Sequence, residues 1–301
     1  MKKKLIVFFG LLLGIAAPVF SQISTDVGLT PAQDRWIFRS QYRTMGMEND
    51  MMEMEAQMIP VMLGYGLSNK VTVMARGVYV QRSTEPGGVD RSGLDDLFLL
   101  SKFRLFRKNT ANYTLGIAPF AASNFPTGAQ EISNRTWNPR AGLNISFRPR
   151  FMAVDLSTSY VFYDVAGKLS EEAAGRFNLN MALSGMIPVG NTSKQVAAPV
   201  LEINYASKGR AGSAKSEQWL FVSPGVTYRY SSLAVDLLYQ QPVWGTDLQG
   251  QMSQQPRWIV GMRYMFLNRK SWRSITGIRG ITGVSIRALL LYCFSKIIIL
   301  W

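Results

Sequence analysis

The residues best suited to bind or react are cations that recur at every second or fourth position of alternating runs. Arg35 and Arg39 are four residues apart, and Lys102 and Arg104 are two apart, so in an extended strand each pair lies on one face. Acids occur on such faces too, but they are fewer. We predict that these charges line an enclosed interior. The candidates are Arg35, Arg39, Arg43, Glu53, Glu55, Arg76, Asp96, Lys102, Arg104, Arg140, Arg148, Asp155, Arg176, Glu202, Arg229, Asp236, Arg257 and Arg263.

Such a set of charges could have two roles. Cations and acids on neighbouring strands could form ion pairs that brace a narrow interior, because charges in a partly wet space need partners. We expect Asp96, for example, to pair with Arg76 or Arg82. The excess of arginine could instead make a conduit that favours anionic or carboxylate-bearing solutes. The sequence leaves both roles open, and they are compatible.

Composition excludes many catalytic sites. The sequence has no histidine and a single cysteine, Cys293. Nucleophile pairs with histidine, histidine–metal sites and structural zinc are therefore excluded. Adjacent carboxylates such as Asp95 and Asp96 would face opposite sides of a strand. We predict no enzyme activity, no catalytic residue, no cofactor and no metal site.

The positive charge is concentrated at the two ends of the chain. The formal net charge is +14, but nine of the cations lie in residues 1–21 and 268–301, where there is no acid, which leaves +5 for residues 22–268. A basic surface for nucleic acid would thus rest largely on the ends. We predict no nucleic-acid partner.

Residues 93–107 show what kind of element positions the interior charges. From Leu97 onward one face is almost wholly apolar, whereas the other carries Lys102, Arg104 and then Phe106. This alternation has the period of a β-strand. The run is about fourteen residues long, more than twice the usual length in soluble proteins. Length and alternation together indicate a membrane-spanning strand.

Similar runs fill the body of the chain, separated alternately by short turns and by longer polar loops. Hydrophobic residues make up 47% of the sequence, yet between the two ends no apolar run is long enough for a membrane-spanning helix. The number of runs is even, and both ends of the series lie on the short-turn side, as in bacterial outer-membrane barrels. The predicted strands are residues 34–46, 51–66, 71–82, 94–107, 111–123, 136–147, 151–165, 175–188, 196–208, 218–230, 233–243 and 257–267.

A soluble β-sandwich would also give alternating runs. Against it, one face of residues 136–147 has no polar side chain, and the apolar faces end in aromatic residues that suit a membrane interface. We therefore predict an all-β protein, a membrane-spanning antiparallel up-and-down β-barrel of about 12 strands. Prolines within the runs mark either local bulges or lateral weak points through which a hydrophobic ligand could leave. Examples are Pro60, Pro119, Pro139, Pro199 and Pro224.

The two ends of the chain carry signals of their own. Residues 1–21 combine three lysines, an apolar core and a small residue before Gln22, which predicts a secretory signal peptide rather than an anchor helix. With the barrel, this predicts the outer membrane of a Gram-negative bacterium. Residues 22–33 are a short leader, residues 34–268 the barrel and residues 269–301 a basic and then apolar tail, expected to be poorly ordered. A sequence accident, a periplasmic extension and a membrane-associated helix all remain open for the tail.

The run SGLDDLFLLSKFRLF at 92–106, followed by LGIAPF at 115–120 and FPTG at 125–128, resembles a known family. It is similar to the outer-membrane meta-pathway phenol-degradation proteins, whose pattern is G-L-G-D-L, an alternating K-Y-R strand and then P-T-G. Here Asp95 replaces the second glycine and Phe103 the tyrosine. The resemblance covers about residues 26–267. It implies an outer-membrane barrel akin to channels for fatty acids and aromatic hydrocarbons, without catalytic residues.

Three functional hypotheses follow from these patterns. The first is an outer-membrane channel or transporter for a small hydrophobic or aromatic compound. The second is a non-specific diffusion porin with a basic lumen, and the third is a structural or surface-interaction barrel. The expected partners are membrane lipids, a small hydrophobic or anionic solute and the outer-membrane assembly machinery.

Overall fold

Strands dominate the structure, which is a computed structural model. It describes residues 23–48, 53–85, 88, 90–133, 135–163, 175–190, 195–209, 216–246 and 253–267, so the predicted signal peptide and the tail 269–301 lie outside the described residues. No helix among those residues is long and apolar enough to cross a membrane. The strands are β1 (Arg35–Glu48), β2 (Glu53–Gly66), β3 (Val71–Glu85), β4 (Arg91–Leu94), β5 (Leu97–Phe103), β6 (Phe106–Asn109), β7 (Tyr113–Phe125), β8 (Asn138–Pro149), β9 (Met152–Val161), β10 (Gly175–Gly185), β11 (Ile187–Pro188), β12 (Gln195–Gly209), β13 (Ser216–Tyr230), β14 (Leu233–Thr246), β15 (Ser253–Gln254) and β16 (Arg257–Leu267).

These strands form a closed antiparallel barrel. Successive strands lie side by side, and the last strand, β16, lies beside β1. β10 pairs with β9 on one side and with β12 on the other, so the described wall closes on itself. Some of the sixteen strands share one place in the wall: β4, β5 and β6 together, β10 with β11, and β15 with β16. The wall therefore has twelve strands. The predicted fold class is confirmed.

The two ends of the barrel differ in their connections. Short connections such as 67–70 and 231–232 lie at one end, which we call the turn end. At the other end, which we call the loop end, the strands are farther apart in sequence: twelve residues separate β7 from β8, and thirteen separate β9 from β10. Since β1 starts and β16 ends at the turn end, the predicted alternation of short and long connections is also confirmed.

The outward face of the wall is apolar in the middle and aromatic towards its edges. Leu237 and Val260 lie opposite each other on β14 and β16 and are 42% and 45% exposed. Tyr239 and Trp258 pack against each other on the loop-end side, with ring centroids 4.8 Å apart, and Tyr264 lies on the turn-end side. An aliphatic belt between aromatic girdles is the surface that a bilayer requires of a barrel. The barrel is therefore built to span a membrane.

The run 93–107 is divided into β4, β5 and β6 instead of forming one strand. Lys102 pairs with Phe120, whereas Phe106 pairs with Ile117, so one extra residue is inserted between β5 and β6. A bulge of this kind reverses the alternation of faces beyond it. Phe106 is accordingly 44% exposed on the outer face, and its predicted inward position is wrong.

The expectation of bulges at the strand prolines is confirmed at Pro119 and is wrong at Pro60. Pro119 lies opposite Leu143 of β8 in a continuous ladder, but on its other side it lies opposite the residue inserted between β5 and β6. At Pro60 the ladder between β1 and β2 skips the facing positions and resumes in the same register. A missing N–H removes one ladder bond, but the alternation of the flanking side chains still fixes the register. A role for these prolines as lateral exits stays a prediction.

Placing a charge in the aliphatic belt tests the orientation of the wall. Leu237→Arg should destabilise the barrel in lipid vesicles by about 2–4 kcal/mol, because a guanidinium at the bilayer midplane is costly. Leu233→Arg, on the same face at the turn end, is the matched control and should cost about 1 kcal/mol or less. Urea unfolding of both variants gives the comparison. Equal costs at the two positions would contradict the placement of the belt.

Candidate functional site

The N-terminal segment, residues 23–33, lies inside the barrel. Followed back from the start of β1 at the turn end, the segment crosses the interior. Its first described residue, Ile23, is 0% exposed and packs with Val200, Leu238 and Ile259, which point inward from β12, β14 and β16. The barrel interior is thus occupied by the chain itself at this level.

A buried carboxylate on β12 fixes the beginning of the segment. Glu202 Oε1 accepts the N–H of Ile23 at 2.7 Å and that of Ser24 at 3.1 Å, and the Ser24 hydroxyl donates to Oε2. From β1, the amide of Gln41 donates to the Ile23 carbonyl at 2.8 Å. Both backbone polar groups of Ile23 are therefore satisfied by the wall.

A second anchor is a buried ion pair on the opposite wall. Lys102 Nζ lies 2.7 Å from Asp26 Oδ1 and 2.8 Å from the Val27 carbonyl oxygen, and the lysine side chain is 0% exposed. The other oxygen of Asp26 accepts the amide of Asn144 at 3.1 Å. Because an unpaired buried charge is strongly unfavourable, Lys102 on β5 holds the segment in place.

Gly28 lies against the wall where no side chain would fit. Its N–H donates to the Ser146 hydroxyl at 2.8 Å. A Cβ atom at this position would lie 2.7–2.8 Å from the Gly116 oxygen, the Asn144 oxygen and the Ser146 nitrogen. All three are backbone atoms of β7 and β8, which cannot move aside independently. The close approach therefore requires glycine.

The wall beneath this contact is braced by charge. The Ser146 hydroxyl donates to Asp155, and Arg148 Nη2 lies 3.0 Å from the same carboxylate. Nearer the turn end, Arg104 Nε donates to the Thr30 hydroxyl at 2.8 Å. The predicted bracing role therefore describes the interior around and below the N-terminal segment.

Above the segment, towards the loop end, lies a cavity of about 350 Å³ that we call the vestibule. Ser24, Thr25 and Asp26 form its floor. One wall is apolar and is made by residues of β2, β3, β5 and β7, namely Met62, Met74, Phe98, Leu100 and Phe120. The facing wall is polar and is made by residues of β9, β10, β12 and β14, namely Ser157, Ser159, Asn178, Asn180, Asn204 and Gln240.

The polar wall is internally connected. Asn204 donates to the Asn180 oxygen at 3.1 Å and accepts from the Gln240 amide at 2.9 Å. Asn204 also lies 3.4 Å from the Ser24 hydroxyl of the floor. This chain of amides orients donors and acceptors towards the cavity without adding charge.

Six arginines line the vestibule, and five of them form what we call the arginine ring: Arg43, Arg76, Arg140, Arg176 and Arg257. Each interacts electrostatically with its neighbours, in the order given and from Arg257 back to Arg43. None of them forms an ion pair with a carboxylate in the part of the chain that the structure describes, where the ion pairs involve Lys102, Arg148 and Lys208. The ring is therefore a concentration of positive charge that the described wall does not neutralise by direct pairing.

Aromatic faces support three of these guanidinium groups. The Cζ atoms of Arg76 and Arg140 lie 4.4 Å and 5.5 Å from the ring centre of Phe98, and that of Arg257 lies 4.6 Å from the ring centre of Phe221. Cation–π contacts of this kind hold a guanidinium in place while its N–H donors stay available. Phe98 also belongs to the apolar wall, so charge and apolar surface meet at this residue.

Most of the predicted interior residues face inward, but they divide among three levels. Arg39 and the arginine ring line the vestibule. Around the N-terminal segment lie Lys102, Arg104, Arg148, Asp155 and Glu202. Towards the turn end, the strand alternation places four more on the inward face: Arg35, Arg229, Asp236 and Arg263.

Two predicted interior residues, Glu53 and Glu55, lie on the outer face. Glu55 pairs with Gly46 and both glutamates are exposed, whereas Met58 and Met62 on the alternate positions of β2 face inward. These glutamates are at the loop end, where the outer face is above the apolar belt and can be polar. The prediction from local polarity therefore assigned the wrong face of β2 to the interior.

Asp96 is buried but does not have the predicted arginine partner. Its carboxylate accepts the backbone N–H of Gly128 at 2.9 Å, and no ion pair with Arg76 or Arg82 occurs among the described residues. Asp95 and Asp96 lie in the irregular step between β4 and β5, which turns the Asp96 side chain towards the 126–137 connection. Asp96 thus fixes a loop.

Sequence reasoning missed the interior role of the leader. Asp26 is the only charged residue of residues 23–33, which was a signal that it needs a partner. No such signal marked Gly28 or Asn204, whose positions depend on contacts far apart in the chain. No cluster of potential metal ligands occurs among the described residues.

Comparison with known sequences gives no match: no family model and no curated protein matches this chain. Membership of the phenol-degradation family therefore stays a prediction.

Several solved structures are similar in fold. The β domain of the Bordetella autotransporter BrkA is 13% identical, with a TM-score of 0.46 over 78% of this chain and 100% of that one. The KdgM porin in complex with disordered oligogalacturonate is 10% identical, with a TM-score of 0.43 over 76% and 99%. The CymD monoaromatic hydrocarbon channel is 13% identical, with a TM-score of 0.38 over 78% and 90%. At these values the likeness says nothing about what this chain binds, and the fold rests on its own strand pairing.

Substitution of Gly28 tests whether the segment obstructs the lumen. Gly28→Ala should force the segment away from β7 and β8 and raise single-channel conductance several-fold, because the backbone there cannot yield. Gly77→Ala is the matched control, since a Cβ at Gly77 meets nothing within 4 Å. Equal conductance in the two variants would show that the segment does not restrict the lumen.

Proposed function

We propose that this protein is an outer-membrane channel that transports a small compound with an apolar or aromatic part. The observation that carries the proposal is the vestibule, which has an apolar wall open to the lumen and a floor made by the N-terminal segment. A purely structural barrel has no need of such a wall, because inward-facing residues of a narrow barrel can simply fill the space.

The location follows from the same features. A closed barrel with an aliphatic belt needs a bilayer, and the signal predicted at residues 1–21 directs the chain out of the cytoplasm. We propose the outer membrane of a Gram-negative bacterium, with lipids around the belt and insertion by the outer-membrane assembly machinery.

A non-specific diffusion porin with a basic lumen is the second candidate, and the arginine ring favours it. The N-terminal segment is evidence against a diffusion porin, because Ile23 to Thr30 cross the interior between Glu202 and Lys102. A free aqueous path between the two ends would have to pass this obstruction. We therefore favour a selective route over an open pore.

The apolar wall provides the test of a selective route. Benzyl alcohol should interrupt single-channel current, and Leu100→Asn should weaken this block about tenfold, as expected for losing part of one apolar contact. Val80→Asn is the control: it places the same side chain on the lumen face of β3, where Val80 is buried but does not line the vestibule.

Liposome swelling tests the alternative of an open diffusion pore. Neutral sugars should enter proteoliposomes slowly, because the segment blocks the lumen. Rapid swelling in sugars together with current that benzyl alcohol does not affect would contradict a selective route and would favour the diffusion porin.

A further inference from the structure

We infer that the arginine ring is a binding site for a carboxylate, so that the transported compound is a small aromatic or apolar carboxylate. This inference rests on the proposed function and specifies its substrate class. It is carried by the geometry of the vestibule, in which guanidinium groups without an ion pair among the described residues adjoin an apolar wall at Phe98.

Two buried cations near the N-terminal segment have carboxylate partners: Lys102 pairs with Asp26, and Arg148 pairs with Asp155. The five ring arginines interact with one another, and none forms an ion pair with a carboxylate among the described residues, although Asp95 and Glu202 act on Arg76 and Arg43 from a longer distance. Like charges held together in a partly desolvated space favour the entry of an anion, which relieves their repulsion.

Four arginines of the ring have an unsatisfied hydrogen-bond donor. The Nε atoms of Arg76, Arg140, Arg176 and Arg257 are buried and have no hydrogen-bond partner in the structure. A guanidinium presents its donors in a planar fork that matches a carboxylate through two parallel hydrogen bonds. Because Arg76 and Arg140 both pack on Phe98, one carboxylate at this position could meet two guanidinium groups.

The apolar wall beside the ring determines which body a ligand can have. Phe98 continues into the apolar wall through Met74, Leu100 and Phe120, which form one buried cluster. A hydrated inorganic anion or a sugar acid would gain nothing from this surface and would lose water to it. An aromatic ring or a short alkyl group would gain from burial there.

The volume of the vestibule limits the size of the ligand. A cavity of about 350 Å³ is near the lower limit of ligand pockets in proteins. It fits a compound with one ring better than a long chain. The ligand class is therefore a monocarboxylate with a single ring or a short branched body, of which benzoate is the simplest probe.

Calorimetric titration of the full-length protein in detergent micelles tests the assignment with three probes. Benzoate carries both the ring and the charge, benzyl alcohol carries the ring alone, and glucuronate carries the charge on a polar body. Benzoate should bind about tenfold or more tighter than either of the others, because charge-assisted hydrogen bonds and apolar burial act together. Equal binding of benzyl alcohol or of glucuronate would overturn the assignment.

Variants of the ring locate the effect. Arg76→Gln with Arg140→Gln should abolish the preference for benzoate over benzyl alcohol. Arg229→Gln is the control, because Arg229 faces the interior near the turn end and does not line the vestibule. Heat-modified mobility in gels shows that each variant is folded. An equal loss in the Arg229 variant would mean that the general field of the lumen, rather than the ring, binds the anion.

Failure of this inference can be separated from failure of the proposed function. If benzyl alcohol blocks the channel and Leu100→Asn relieves the block, but benzoate binds no better than benzyl alcohol, the channel stands and the carboxylate site is wrong. If neither aromatic compound binds or blocks, the apolar route itself is wrong.

Discussion

Closure of the sheet is the constraint on which the rest of this structure depends. In the hydrocarbon region every strand N–H and C=O must find a partner within the protein, so the ladder has to return to its start. Here it does so through β1 beside β16 and through β10 between β9 and β12. Twelve strands enclose an interior that side chains alone do not fill. Residues 23–33 occupy part of that space and thereby divide the lumen into two halves.

Ion pairs are unevenly distributed between the two halves. Around and below the N-terminal segment, Lys102 and Arg148 each have a carboxylate partner, and these pairs hold the segment and brace the wall. Above it, the arginine ring has no such partner among the described residues. The ion pairs thus brace the interior around the segment, whereas anion selectivity at the arginine ring is our proposal. The N-terminal segment is the boundary between the two halves, because Asp26 pairs with Lys102 and also forms part of the vestibule floor.

The barrel could be predicted from sequence because alternation is a local property that lipid imposes on every strand. The predictions that were wrong or missing depend on effects that are not local. One inserted residue turned Phe106 outward, and the change in polarity of the outer face near the loop end misplaced Glu53 and Glu55. The interior position of the leader depends on contacts such as that between Ile23 and Glu202, which are 179 residues apart. No periodicity records such a contact, so the vestibule could not be derived.

The most direct test of the account is whether the N-terminal segment lies inside the barrel. Ser24 Oγ is 3.4 Å from Asn204 Nδ2, and the two residues are 180 positions apart. In a Cys293→Ser background, Ser24→Cys with Asn204→Cys should form an intramolecular disulfide in outer-membrane vesicles, detected by mobility and mass. The pair Ser24→Cys with Ser101→Cys, which places the second thiol on the lipid face of β5, should form none. A cross-link in the first pair alone is the predicted result, and its absence in folded protein would contradict the account.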